Sequence, residues 1–155
     1  MRVLVVEDAA DLHSALRTAI EHRGCEVAQA RDGAEALSHI GAQEFDAAIV
    51  DYQLPPPDGL EVLRQLLDLQ PRCVRALTSG ALDLPVVMSA VNRGEVTRLI
   101  AKPFYLGTLF GALDEALAER VRPELVYTRT RADIQERERR ELGSCFSTPL
   151  LQLAL

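Results

Sequence analysis

The sequence predicts an α/β fold: a doubly wound, five-stranded parallel sheet with helices on both faces. Three observations carry this expectation. Short apolar runs rich in β-branched residues alternate five times with segments whose apolar residues recur at spacings of three and four. Glycines, prolines and Asp-Gly pairs fall between these segments and punctuate them. The polar residues best suited to chemistry cluster where the predicted strands end.

The first run is Val3-Leu4-Val5-Val6, followed by a helical stripe of Leu12, Leu16, Ala19 and Ile20. Gly24 closes that helix, where a C-terminal glycine can take positive φ at little steric cost. Val27-Ala28 is the second strand. Asp32-Gly33 opens the second helix, which carries Ala34, Leu37 and Ile40. The third strand, Ala47-Ala48-Ile49-Val50, is almost continuously apolar, as expected of a strand covered on both sides. Leu54-Pro55-Pro56-Pro57-Asp58-Gly59 can be neither helix nor inner strand and reads as a fixed loop. A third helix follows with Leu60, Leu63, Leu66 and Leu67. Val74-Arg75-Ala76-Leu77 is the fourth strand, and Val87, Ala90 and Val91 mark a fourth helix closed by Gly94. The fifth strand runs through Val96-Thr97-Arg98-Leu99-Ile100 and is stopped by Pro103. The last helix carries Leu106, Leu109, Phe110, Leu113 and Leu117.

A chain of 155 residues suits one domain with a short appendage. The net charge of −6 speaks against direct nucleic-acid binding, which calls for a basic stripe. Cys25, Cys73 and Cys145 are widely spaced, without a Cys-x-x-Cys pair, and read as free thiols of a reducing cytoplasm. The first residues turn acidic too early for a signal peptide, and no apolar run is long enough for a membrane span, so a cytoplasmic location is expected.

The polar strand ends define the candidate site. The first strand ends in Glu7-Asp8, the third in Asp51, the fourth in Thr78-Ser79-Gly80 and the fifth in Lys102-Pro103. Each feature alone has a bland reading: helix-start acids, a turn-capping aspartate, a solvated lysine. Together they bring three carboxylates, hydroxyls and an ammonium to one sheet edge. The carboxylates repel one another, and a hard divalent cation with oxygen ligands, Mg²⁺ above all, relieves that repulsion. Asp51 then suits the part of a carboxylate nucleophile toward phosphorus, with the cation and Lys102 neutralising phosphoryl oxygens and a Ser or Thr hydroxyl donating a hydrogen bond.

These residues resemble the CheY-like receiver domain of two-component response regulators. The matching stretches are Val-Leu-Val-Val-Glu-Asp at 3–8, Asp-Tyr-Gln-Leu-Pro-Pro-Pro-Asp-Gly at 51–59, Leu-Thr-Ser-Gly at 77–80 and Lys-Pro-Phe at 102–104, and the resemblance spans residues 1–121. It implies a flavodoxin-like sheet of order 2-1-3-4-5. It implies Asp51 as phosphoacceptor, Asp8 as direct ligand of Mg²⁺ (or Mn²⁺), and Glu7 acting through water. It also implies a ligating backbone carbonyl at Gln53, whose side chain faces the phosphoryl group, and Lys102 in contact with that group. The Lys102–Pro103 bond is expected to be cis. Between the two hydroxyls, Ser79 is favoured by its spacing from Asp51, with Thr78 the alternative on the other strand face.

The implied function is a phosphorylation switch, not an enzyme beyond slow autodephosphorylation. Its expected partners are a sensor histidine kinase or phosphotransfer protein, and a downstream target, a fused output domain or a second copy of the chain. A receiver-like adaptor working without phosphorylation is the alternative. A phosphatase is disfavoured because Gln53 stands where its second acid would be, and a nucleotide-binding fold because no glycine-rich loop follows the first strand. Leu99 departs from the family, which often has an aromatic ring there. Residues 122–155 are expected to form a charged helical linker or tail with an apolar C-terminus.

Overall fold

The computed structural model describes residues 1–80 and 83–121; the tail expected at 122–155 lies outside the described residues. Strands and helices alternate: β1 (Arg2–Val6), α1 (Ala10–His22), β2 (Glu26–Ala30), α2 (Gly33–Ala42), β3 (Ala47–Asp51), α3 (Gly59–Leu69), β4 (Val74–Ser79), α4 (Leu84–Asn92), β5 (Arg98–Ala101) and α5 (Leu106–Val121). All neighbouring strands pair in parallel, in the order β2-β1-β3-β4-β5. The predicted fold class and strand order are those observed.

Strand alternation sorts the apolar residues into two layers. Leu4, Val6, Ala48, Val50 and Leu77 face one core, completed by Ala36 and Ile40 of α2, Leu63 and Leu66 of α3, and Val87 and Ala90 of α4. Val3, Val5, Ala47, Ile49, Val74 and Ala76 face the other, covered by Leu16 and Ile20 of α1 and Leu109 and Leu113 of α5. Every residue of β3 is buried, the reason its sequence shows no polar alternation. Burying one leucine such as Leu63 stabilises the fold by roughly 1.5–3 kcal/mol.

Local chemistry sets the element ends. Asp32 and Asp58 cap α2 and α3, accepting hydrogen bonds from the Glu35 and Glu61 amides at 2.8 and 2.9 Å. Gly24 and Gly94 follow α1 and α4 with φ of 77° and 74°, the left-handed conformation that ends a helix.

Two expectations need correction. β5 begins at Arg98, not Val96: the Thr97 hydroxyl takes the Arg75 amide proton at 3.1 Å, displacing the main-chain acceptor that a strand residue would supply. Leu106 is exposed at the start of α5 and does not join the core. Arg75, buried in β4, donates to the carbonyls of Pro71, Cys73, Gly94 and Glu95, which ties the entries of β4 and β5 together.

Candidate functional site

Parallel pairing aligns the carboxyl ends of β1, β3, β4 and β5 along one edge, and the chain just beyond them carries the predicted residues. Glu7, Asp8 and Asp51 each offer an oxygen lying within 4.8 Å of the others. Glu7 and Asp51 are buried, whereas Asp8 is exposed. Lys102 joins the cluster from the end of β5: its Nζ lies 2.8 Å from Glu7 Oε2 and 3.3 Å from Asp51 Oδ2. Burial works against the ammonium, but the Glu7 hydrogen bond and the charges of Glu7 and Asp51 outweigh it and hold the Lys102 pKa above its ordinary value. The Lys102–Pro103 bond is cis.

The loop after Asp51 is held by close backbone approaches. A Cβ on Gly59 would sit 2.1 Å from the Asp51 carbonyl oxygen, so only glycine lets α3 start this near the strand end. A Cβ on Gly33 would sit 2.0 Å from the Pro57 carbonyl oxygen, so α2 supports the proline loop from its other side. Within the loop, the Gln53 amide donates to Asp51 Oδ1 at 3.2 Å, and the Gln53 side chain is exposed.

The two hydroxyls stand next to each other at the end of β4. Asp51 continues the alternation of Ala47 and Ile49, toward the α1–α5 layer. Thr78 continues that of Val74 and Ala76 toward the same layer and is the register partner of Asp51. Ser79 is the last residue of β4, one position beyond the partner of Asp51, and its carbonyl accepts the Lys102 amide at 2.8 Å, so the hydroxyl favoured from sequence spacing stands at the strand end next to the Lys102 backbone. Both are buried. Leu99 packs against the α2–α3–α4 core, leaving no ring to move at that place.

Some features escaped the sequence. Glu7 is a direct ion-pair partner of Lys102, a pair separated by 95 positions. His13 reaches back from α1 to the Glu7 carbonyl at 2.8 Å. A histidine one turn into the helix after an acidic pair was the available signal.

A doubly wound sheet carrying an aspartate, two helper acids and a lysine at its carboxyl edge defines the class of aspartate-centred signalling domains. The chain belongs to the response regulator receiver domain family, whose pattern matches residues 3–114. It is 34% identical over 135 residues to response regulator MprA of Mycobacterium avium, covering 80% of this chain and 54% of that protein. It is 32% identical over 102 residues to the C4-dicarboxylate transport transcriptional regulatory protein DctD of Rhizobium meliloti, covering 66% of this chain and 22% of that protein. A CheY-like receiver domain structure from Methanospirillum hungatei superposes with a TM-score of 0.74 at 27% identity, over 79% of this chain and 97% of that one. The chain thus spans about half the length, or less, of these curated relatives. Among the described residues no helix is long and apolar enough to cross a membrane.

Proposed function

We propose that this receiver domain accepts a phosphoryl group on Asp51 from a sensor histidine kinase or phosphotransfer protein. One observation carries the reading: three carboxylates and the ammonium of Lys102 converge at the end of the sheet. The donor set consists of hard oxygen ligands with one exposed member, Asp8, which fits a cation that keeps part of its water. Glu7, Asp8, Asp51 and the Gln53 carbonyl would hold Mg²⁺ (or Mn²⁺), which supplies positive charge opposite the phosphoryl oxygens.

An oxygen of the Asp51 carboxylate attacks phosphorus as the P–N bond of a phosphohistidine breaks. The departing imidazole keeps the bonding electrons and takes a proton from water. Lys102 exchanges its carboxylate partner for a phosphoryl oxygen. The Ser79 hydroxyl, at the end of β4, donates to another, with Thr78, the register partner of Asp51, as the alternative. The changed surface is read by a downstream target, a fused output domain or a second copy of the chain. Turnover is limited to slow loss of the phosphoryl group to water. A cytoplasmic location goes with this reading and with the free thiols of Cys25 and Cys73.

The test is incubation of the chain with a small phosphodonor and Mg²⁺, followed by intact mass measurement. A phosphoryl adduct that disappears in Asp51→Asn is expected. No adduct, or one that persists in that variant, refutes the proposal.

A further inference from the structure

We infer that His13 is a positioning residue for the metal-binding turn, an inference that rests on the metal site proposed above. The geometry begins with a missing cap. α1 has Ala9 at its N-cap, and no side chain accepts a hydrogen bond there, a place where Ser, Thr, Asp or Asn usually does. The entry to the helix is instead tied by contacts around Glu7. Glu7 Oε1 accepts the Ala9 amide at 3.1 Å, and Glu7 Oε2 accepts from Lys102 Nζ at 2.8 Å. His13 Nδ1 stands 2.8 Å from the Glu7 carbonyl oxygen. A carbonyl oxygen only accepts, so Nδ1 carries the proton in this bond.

The consequence falls on Asp8. Its carboxylate is exposed and makes no hydrogen bond to a described residue, so among these contacts the backbone is what places its Cβ toward the cluster. Fixing the carbonyl of Glu7 fixes the peptide plane that leads into Asp8. His13 can do this because it is itself held. Its amide donates to the Ala9 carbonyl at 2.9 Å, and its carbonyl accepts from Gln29 Nε2 at 2.8 Å. Gln29 is anchored in turn, its carbonyl lying 3.1 Å from His39 Nε2 on α2. A continuous chain of bonds thus runs from α2 across β2 and α1 to the turn bearing two of the three acids.

The test compares the full chain with His13→Ala and His13→Asn by calorimetric Mg²⁺ titration, together with thermal unfolding in chelator. The asparagine Nδ2 sits where Nδ1 does and keeps the donor. His13→Ala is expected to weaken Mg²⁺ binding about 10-fold, the lower end of what losing an outer-shell partner does. His13→Asn is expected to recover most of that affinity, with metal-free unfolding alike in both variants. Unchanged affinity in His13→Ala overturns the inference, as does equal weakening in both variants. Wild type that binds no Mg²⁺ defeats the proposed metal site itself, an outcome distinct from either.

Discussion

Replacing Gly59 by alanine puts a methyl carbon 2.1 Å from the Asp51 carbonyl oxygen, 2.9 Å from its carbonyl carbon and 3.0 Å from the Tyr52 Cα. A carbon and an oxygen in ordinary contact stand about 3.3–3.6 Å apart, so the start of α3 must retreat by more than ~1 Å. The obstacles are main-chain atoms, and no rotamer relieves them. Overpacking of this kind destabilises by about 1–3 kcal/mol, and the upper half applies because the obstacle is backbone. The better helix propensity of alanine returns less than about 1 kcal/mol. Gly111, exposed in α5, has nothing within 4 Å of the same added carbon, so Gly111→Ala should stabilise by roughly 0.5–1 kcal/mol. Urea unfolding followed by far-ultraviolet circular dichroism measures both. The midpoint should fall for Gly59→Ala and rise for Gly111→Ala, with the slope unchanged. Because the retreat displaces Asp51, Gly59→Ala should also lose phosphoryl adduct. A Gly59→Ala midpoint equal to wild type, or a fall of similar size in both variants, refutes the reasoning.

Two further predictions concern ionisable groups. Arg93 hydrogen-bonds the buried Glu95 carboxylate, at 2.8 and 3.0 Å, and with help from Arg64 it outweighs burial and holds the Glu95 pKa below its ordinary value. A depressed carboxylate pKa adds stability above the unfolded value of about 4.5, and that stability is lost as pH falls through the folded value. Glu95→Gln should therefore be less stable than wild type by roughly 1–2 kcal/mol near neutral pH, a hydrogen-bonded charge being lost. The gap in urea midpoints should close on acidification; a gap constant with pH contradicts the assignment. Burial pushes the Cys73 thiol up to about 12, so alkylation of native protein near neutral pH should spare Cys73 and modify the part-exposed Cys25. Peptide mass mapping that finds both labelled at one rate before unfolding would count against this.

The fold was legible because its two signals are local. Continuous burial writes β3 as an unbroken apolar word, and Gly24, Asp32, Asp58 and Gly94 mark helix ends through backbone chemistry that depends on near neighbours alone. The acidic cluster was legible because parallel strands all end on one edge, so placement in the chain nearly determines placement in space. What escaped depends on register. The faces of Thr78 and Ser79 follow from the pairing of Asp51 with Thr78, and one residue of slip would exchange them. The early end of the β5 ladder turns on one hydroxyl, Thr97, that no apolar pattern reveals. The Glu7–Lys102 pair and the Gly33–Pro57 approach join segments distant in sequence.

The pairing of Lys102 with Glu7 and Asp51 also bears on the valence of the ion that the proposed metal site would accept. Three carboxylates less one ammonium leave a formal charge of minus two. A divalent ion brings that sum to zero, a monovalent ion leaves it half met, and a trivalent ion inverts it. Selection by charge in this form is indifferent to whether the ion is Mg²⁺ or Mn²⁺. Once a phosphoryl group of about −1.5 to −2 replaces the single charge of Asp51, neutrality is broken again by roughly half to one unit. The modified site would then hold an excess of negative charge among buried groups, and the uncharged hydroxyls at the end of β4, Ser79 and Thr78, are groups that can turn a dipole toward it without adding another ion.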